Sequence, residues 1–135
     1  MKTFKGISMS DSFVLDAFAW VEYFLGSERG VKVKEFIESG KCITPTIVIA
    51  ELSAKYSSEG KDFTDQLKFI KFNTNVVALN DEIAVLSGKL KVEQRKAKKD
   101  FGIADSIIYA TASVYNSKLI TGDPHFDNIK EAIMI

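Results

Sequence analysis

Residues 101–111, FGIADSIIYAT, combine an apolar helix pattern with a carboxylate, Asp105, just inside the start of that helix. We predict a helix over residues 103–115, and we expect its apolar side to enter the core through Ile103, Ile107, Ile108, Ala110 and Ala112. Asp105 then lies buried or at a mouth of the core. A carboxylate in such a place needs a cation, a hydrogen-bond donor or a metal as its partner.

Three other acids occupy the same kind of position, each at the edge of an apolar segment. Asp16 ends the segment FVL, Glu51 follows IVIA, and Asp123 follows LITG. The four acids are spread from one end of the chain to the other. We infer that the fold assembles them into one shared site.

Short apolar segments alternate with helical ones along the rest of the chain. This alternation predicts an α/β fold with a mainly parallel sheet and right-handed crossovers. The predicted strands are residues 12–16, 42–43, 76–79, 118–121 and 133–135, and the predicted helices are residues 17–26, 31–39, 46–57, 62–73, 81–98 and 103–115. Thr44 and Pro45 are expected to start the third helix, as its cap and its first residue. Sites in such sheets form beyond the carboxyl ends of strands, where Asp16 and Asp123 are expected.

Length and composition indicate an ordinary globular domain. The chain has 135 residues and is 46% hydrophobic, so we predict one domain over residues 12–135, preceded by a flexible lead at 1–11 in which Met9 could be the natural start. The formal net charge is zero, so the molecule as a whole has no basic field, and binding of nucleic acid requires a local patch.

The lone cysteine, Cys42, excludes an intrachain disulfide and fits a reducing cytoplasm. Together with the lone His125 it falls far short of a zinc site, and a loop histidine is expected to be incidental. No apolar run approaches the ~18 residues that a membrane span requires, and no apolar signal core precedes Asp11. We expect a cytoplasmic protein without a membrane segment.

Two surfaces each allow two interpretations. Lys91, Arg95 and Lys98 are spaced i, i+4 and i+7, and they form either a solvated helix face or an edge that contacts phosphates. The helix at residues 17–26 is apolar almost all round, so its aromatic side chains belong either to the core or to a dimer or partner interface.

Clustered carboxylates repel one another, which limits what such a site can be. At ~5 Å and an effective dielectric constant of ~20, each ionised pair costs about 3 kcal/mol. The cluster must therefore hold protons or bind a hard cation. Oxygen ligands favour Mg²⁺ or Mn²⁺, which often act on substrate phosphates and activate water for attack on a phosphodiester.

Four segments of the chain resemble the acidic motifs of PIN domains: VLDAFAW (14–20), TPTIVIAEL (44–52), IADSIIYATA (103–112) and LITGD (119–123). The resemblance spans residues 13–126. It implies a Rossmann-like three-layer α/β/α sandwich, a metal-dependent endoribonuclease of the VapC toxin type, Mg²⁺ or Mn²⁺, an RNA substrate, a homodimer and an antitoxin partner. By motif position, the metal-binding and catalytic acids would be Asp16, Glu51, Asp105 and Asp123. Thr121 matches the family's hydroxyl in the last motif.

One position departs from the family pattern. Ser or Thr often stands two residues after the first Asp, whereas this chain has Phe18. The missing hydroxyl favours an alternative in which a catalytically weak or inactive PIN fold binds RNA or a protein. A receiver-like signalling domain is a third hypothesis, which requires a phospho-acceptor Asp at the end of a middle strand and a late Lys. Asp100 and Asp127 are expected to be turn or surface residues.

Overall fold

The computed structural model describes residues 11–135, and within that range the chain forms a five-stranded parallel sheet and six α-helices. The strands are β1 (Phe13–Leu15), β2 (Cys42–Pro45), β3 (Asn75–Val77), β4 (Lys118–Thr121) and β5 (Ala132–Met134). The helices are α1 (Ala17–Leu25), α2 (Glu28–Glu38), α3 (Thr46–Ser58), α4 (Thr64–Asn73), α5 (Asp81–Gln94) and α6 (Ile103–Val114), and a 3₁₀ turn covers Pro124–Phe126. The predicted lead at residues 1–11, with Met9, lies outside the described residues apart from Asp11.

The strand order places the carboxyl ends of β1 and β4 side by side. The order is β3-β2-β1-β4-β5, so the chain moves outward from β1 to β3 and then returns to the other side of β1. The direction of winding therefore reverses between β1 and β4, which is where open α/β sheets bind ligands. Leu15 is paired with Ile120, so the residues that follow each strand begin at the same level. The fold is the predicted α/β sandwich with a parallel sheet.

The central strands are short and mostly apolar because helices cover both of their faces. Val14, Leu15, Leu119 and Ile120 are fully buried. Around them, α1 packs on α2, α5 packs on α6, and α3 contacts both α1 and α6. Every helix in residues 11–135 is too short or too polar to cross a lipid bilayer.

The predicted start of the third helix is wrong at Thr44 and Pro45. Both residues belong to β2, and Pro45 precedes α3 without making a side-chain cap. The buried Thr44 hydroxyl instead accepts a hydrogen bond from the Trp20 indole N–H at 3.2 Å and lies 2.8 Å from the Thr74 hydroxyl. A buried indole N–H requires an acceptor, and Thr44 provides it from the neighbouring strand.

Three predicted helix positions also differ. Helix α2 begins at Glu28 rather than residue 31, because the Ser27 hydroxyl accepts a hydrogen bond from the Gly30 N–H at 3.1 Å and caps the helix. Helix α5 ends at Gln94 rather than near residue 98, where the chain turns toward the segment after β4. Ile103 is 52% exposed, since the buried side of α6 runs from Ser106 to Ala112.

The aromatic residues of α1 pack mostly within the molecule. Trp20 is fully buried, and Tyr23 and Phe24 pack with it against Phe69 of α4 at ring-centroid distances of 5.3 to 6.2 Å. Phe72 on the same helix α4 is 90% exposed, because it lies two residues beyond the buried Ile70 and so on the opposite side. The core interpretation therefore accounts for much of the aromatic surface of α1.

Candidate metal centre

Asp16 lies in the switch between β1 and α1, and the fold buries it almost completely. It is 3% exposed; its Oδ1 accepts the Ala19 N–H at 2.8 Å as the cap of α1, and its Oδ2 accepts the Thr121 hydroxyl at 2.5 Å. Burial raises the pKa of Asp16 to about 7, although these two hydrogen bonds oppose the rise. The negative charges of Asp123 and Glu51 raise it further.

The end of β4 supplies a hydroxyl and a second carboxylate. Thr121 donates to Asp16 and accepts the Asp123 N–H at 2.9 Å, so one side chain links both acids. Asp123 Oδ1 then accepts the His125 N–H at 2.9 Å and caps the 3₁₀ turn. The Thr121 hydroxyl, which was predicted to match the family's hydroxyl, therefore lies between the acids of the first and last motifs.

Asp105 lies in the first turn of α6 and faces the same turn after β4. Its Oδ2 accepts the Gly102 N–H at 3.3 Å, the reciprocal contact that acidic residues make three positions into a helix. The Nδ1 atom of His125 lies 2.9 Å from this Oδ2 and 3.8 Å from Oδ1 of Asp123. His125 thus bridges the acids of α6 and of the β4 end.

Two buried phenylalanines hold these segments together. Phe101 immediately precedes α6, Phe126 ends the 3₁₀ turn, and their rings meet edge to face at 5.6 Å. Both are almost fully buried. This contact fixes the start of α6 against the turn, so Asp105 and His125 meet through packing and not only through their own hydrogen bond.

Glu51 contributes the one buried side-chain oxygen in residues 11–135 that has no hydrogen-bond partner, Oε1. Burial raises its pKa, and the charges of Asp105 and Asp123 raise it further. A buried oxygen without a donor is costly unless a cation or water reaches it. Glu51 comes from α3, so the acids approach from four different elements.

The predicted assembly of the four acids at one place agrees with the electrostatics of the site. The charges of Asp123 and Glu51 raise the pKa of Asp16. The charges of Asp105 and Asp123 likewise raise the pKa of Glu51. Asp105, Asp123 and His125 each offer a ligand atom within 4.8 Å of the others. The carboxylate oxygens of Asp105 and Asp123, together with the unpaired Oε1 of Glu51, fit a hard divalent cation. Their roles as ligands remain a prediction.

The predicted basic stripe is not a single helix face. Lys91 lies in the last turn of α5, but Arg95 caps that helix and its Nε donates to the Lys99 carbonyl at 3.1 Å. Lys98 forms an ion pair with Asp127 at 2.6 Å. Residues 95–99 therefore lie beyond the end of α5, and a shared phosphate-contacting role for the three cations stays a prediction.

His125 lies among the acids, where the sequence prediction did not place it, and whether it has a role there stays a prediction. Its contact with Asp105 depends on α6 and the 3₁₀ turn meeting in space, 20 residues apart in sequence. The available signal was local: His125 follows Asp123 by two residues, in the turn that carries the last motif. Asp100 is exposed, and Asp127 is a surface residue as predicted, paired with Lys98.

The receiver-like hypothesis finds no support in this geometry. Glu51, the acid in the middle of the chain, lies inside α3 and not at the end of a strand. Lys118 is exposed at the start of β4, at the end of that strand opposite the acids. A receiver requires both groups at the carboxyl edge of the sheet.

Comparisons with known proteins identify the same fold. Residues 13–132 match the family model of the PIN domain. A toxin–antitoxin complex from Klebsiella pneumoniae is similar at 20% identity with a TM-score of 0.73, covering 91% of this chain and 97% of that one. VapBC2 from Rickettsia felis, bound to a promoter DNA fragment, is similar at 20% identity with a TM-score of 0.70, covering 91% and 96%.

PAE2754 from Pyrobaculum aerophilum is similar at 18% identity with a TM-score of 0.63, covering 97% of this chain and 88% of that one. A search of curated proteins gives no match. At these identities the solved structures establish the fold, and the family rests on the match over residues 13–132. The chain belongs to the PIN domain family, a family of nucleases.

Proposed function

We propose that residues 12–135 form a single metal-dependent endoribonuclease domain that hydrolyses RNA phosphodiester bonds as the VapC-type toxin of a toxin–antitoxin pair. The observation that carries the proposal is the meeting of four acids from four elements at the β1–β4 switch of a PIN domain, with Oε1 of Glu51 left without a partner. The similar structures include toxin–antitoxin complexes, which supports the toxin role and an antitoxin partner. We propose the cytoplasm as the place of action.

Each side chain has a task that follows from its surroundings. Asp105 and Asp123 would hold a Mg²⁺ or Mn²⁺ ion together with Asp16, which Thr121 and Ala19 fix in place. His125 would orient Asp105 through its contact with Oδ2. A bound divalent ion supplies Lewis-acid polarisation of a phosphate and activation of water. Oε1 of Glu51 is the oxygen available to accept a hydrogen bond from the attacking water, because no protein donor reaches it.

The test is incubation of the purified protein with labelled RNA in Mn²⁺, in Mg²⁺ and in chelator. We expect metal-dependent cleavage that Asp105→Asn abolishes without unfolding the chain. The matched control is Asp100→Asn, an exposed acid five residues earlier, which should cleave like the wild type. Full activity of Asp105→Asn would exclude the assignment.

Melting curves of the same samples separate metal binding from catalysis. A cation that relieves repulsion among the acids should stabilise the fold by about 2.7 kcal/mol at a hundredfold excess over its Kd. Stabilisation without cleavage would favour the alternative function, an RNA- or protein-binding PIN fold. The observation that favours this alternative is Phe18, which occupies the position where the family often has a hydroxyl. Its ring contacts Gly122.

A further inference from the structure

Phe18 lies beside the acids without belonging to the buried core. It is half-buried in the first turn of α1, two residues after Asp16. The Cβ direction of Gly122 points at its ring, so that a Cβ there would lie 2.2 Å from Cε1. Since Gly122 separates Thr121 from Asp123, the ring packs on the backbone that carries two residues of the candidate site.

Arg29 lies over the same ring. Its guanidinium carbon is 5.4 Å from the Phe18 ring centroid, and the side chain is exposed. Within residues 11–135 no carboxylate forms an ion pair with Arg29, so its charge is available to a ligand. A guanidinium at this distance is attracted to the ring face and holds a defined position.

The packing of α2 on α1 positions Arg29 beside Phe18. A Cβ on Gly30 would lie 2.1 Å from the carbonyl oxygen of Glu22, so the first turn of α2 packs directly on the last turns of α1. Ser27 caps α2 through the Gly30 N–H. The close approach of the two helices therefore sets the backbone position from which the Arg29 side chain reaches the Phe18 ring.

The chemistry of this surface fits a nucleotide. An aromatic ring offers a stacking face that any base can use, and a guanidinium binds phosphate oxygens through paired hydrogen bonds. The acids next to it repel phosphate, and the molecule has no net positive charge to offset that repulsion. A cation at the rim of the acid cluster would keep an RNA backbone close to it.

We propose that Phe18 and Arg29 bind the nucleotide adjacent to the scissile phosphate, with the Phe18 ring packed against its base and Arg29 bound to its phosphate. This inference rests on the proposed ribonuclease function and adds a substrate subsite to it. It also gives Phe18 a role in place of the absent hydroxyl: the ring holds the substrate and leaves the orientation of Asp16 to Thr121 and Ala19.

The first test compares a labelled pentaadenylate RNA with an abasic ribose-phosphate pentamer by fluorescence anisotropy in chelator. We expect the wild type to bind pentaadenylate about tenfold more tightly, since stacking on an aromatic side chain is of this order. Phe18→Ala should lose that preference while keeping its affinity for the abasic pentamer. Phe72→Ala, a change at a 90% exposed ring on α4, should keep the preference.

The second test separates the base from the phosphate. Arg29→Ala should weaken binding of both pentamers by the same factor and should lower the slope of log affinity against log salt concentration by about one. Lys34→Ala, a change at an exposed cation on the same helix, should leave both affinities unchanged. In cleavage assays Phe18→Ala should raise KM more than it lowers kcat.

The outcomes distinguish this proposal from the function on which it rests. A preference for pentaadenylate that survives Phe18→Ala, or a wild type that binds both pentamers equally, would overturn the subsite. Cleavage sensitive to Asp105→Asn would then still support the ribonuclease. Failure of the wild type to bind either pentamer would overturn the subsite and count against RNA as the substrate. Phe18→Tyr, which keeps the ring, should retain the preference and guards against a misfolded alanine variant.

Discussion

Among single residues, Asp16 carries the largest electrostatic cost of the candidate site. Its two hydrogen bonds do not offset its burial, so its pKa is about 7 when folded against 3.8 when exposed. The folded state therefore binds this proton more tightly than the unfolded chain does. The resulting stabilisation is fully present below about pH 4 and is lost as the pH rises through about 7.

For the metal-free protein we therefore expect the free energy of unfolding to fall as the pH is raised from about 5 to about 8. Asp16→Asn removes one titrating group and should reduce this dependence, leaving the smaller part that the raised pKa of Glu51 contributes. Urea denaturation in chelator at a series of pH values measures it, with Asp100→Asn as the control that keeps the wild-type slope. A wild-type slope in Asp16→Asn would contradict the assignment to Asp16.

His125 acts at the same scale, through the orientation of Asp105. We expect His125→Ala to weaken Mn²⁺ binding about tenfold or more, because partners that orient metal-binding carboxylates are typically worth that much. His125→Asn places an amide nitrogen near Nδ1 and should recover part of the affinity. Calorimetric titration with Mn²⁺ measures both variants, and an unchanged Kd in His125→Ala would mean that the contact has no bearing on metal binding.

The acids could be located from sequence because each follows an apolar segment, a pattern that is local and visible. The neighbours of those acids could not, since they depend on contacts between distant segments. His125 reaches Asp105 through the packing of Phe101 on Phe126, and Phe18 reaches Gly122 across the β1–β4 pair. Neither contact has a signature in the spacing of residues.

Among the elements, the α1–α2 pair depends on a single glycine. The Gly30 Cα faces the Glu22 carbonyl so closely that any side chain must push the helices apart. We expect Gly30→Ala to lower the free energy of unfolding by about 1–3 kcal/mol, as overpacking usually does. Urea denaturation of both proteins checks the difference.

Gly88 provides the matched control for this substitution. It lies on the exposed side of α5, and a Cβ there would meet nothing within 4 Å. Gly88→Ala should therefore raise the free energy of unfolding by up to about 1 kcal/mol, since alanine favours the helix. Equal effects of the two substitutions would contradict the steric explanation for Gly30.

Two of the errors at the level of elements have a common physical origin. Local signals placed Thr44 at a helix start and continued α5 past Gln94, but tertiary partners decided both positions. Thr44 satisfies the Trp20 indole, and Lys98 pairs with Asp127 on a distant segment. The start of α2 is an error of another kind, because the Ser27 cap that fixes it needs only the neighbouring Gly30 N–H.

At the scale of the whole molecule, the sequence predicted the class of sheet but not the order of its strands. The alternation of short apolar segments with helices predicted a parallel sheet, whereas the order β3-β2-β1-β4-β5 depends on which strands pair. The family resemblance narrowed the class to a Rossmann-like three-layer sandwich, and the match over residues 13–132 confirms the family. The predicted homodimer stays a prediction.

That homodimer can be tested through the apolar residues that α1 and α2 leave exposed. Leu25 is 70% exposed and Val31 is 60% exposed, while most of the aromatic side chains of α1 pack inside. We expect light scattering at micromolar concentration to give about twice the protomer mass of 15.0 kDa. Leu25→Asp should give the protomer mass, whereas Val85→Asp on α5 should not; a wild type with the protomer mass would contradict the dimer.

The pairing of the β1 and β4 ends has a consequence for how the protein is made. Asp16 leaves the ribosome early, but the Thr121 hydroxyl that holds it and the carboxylate of Asp123 are translated 105 and 107 residues later. A nascent chain therefore carries no assembled acid site until translation has passed residue 123. Products that end before residue 123 lack Asp123, so the four acids can come together only near the end of synthesis.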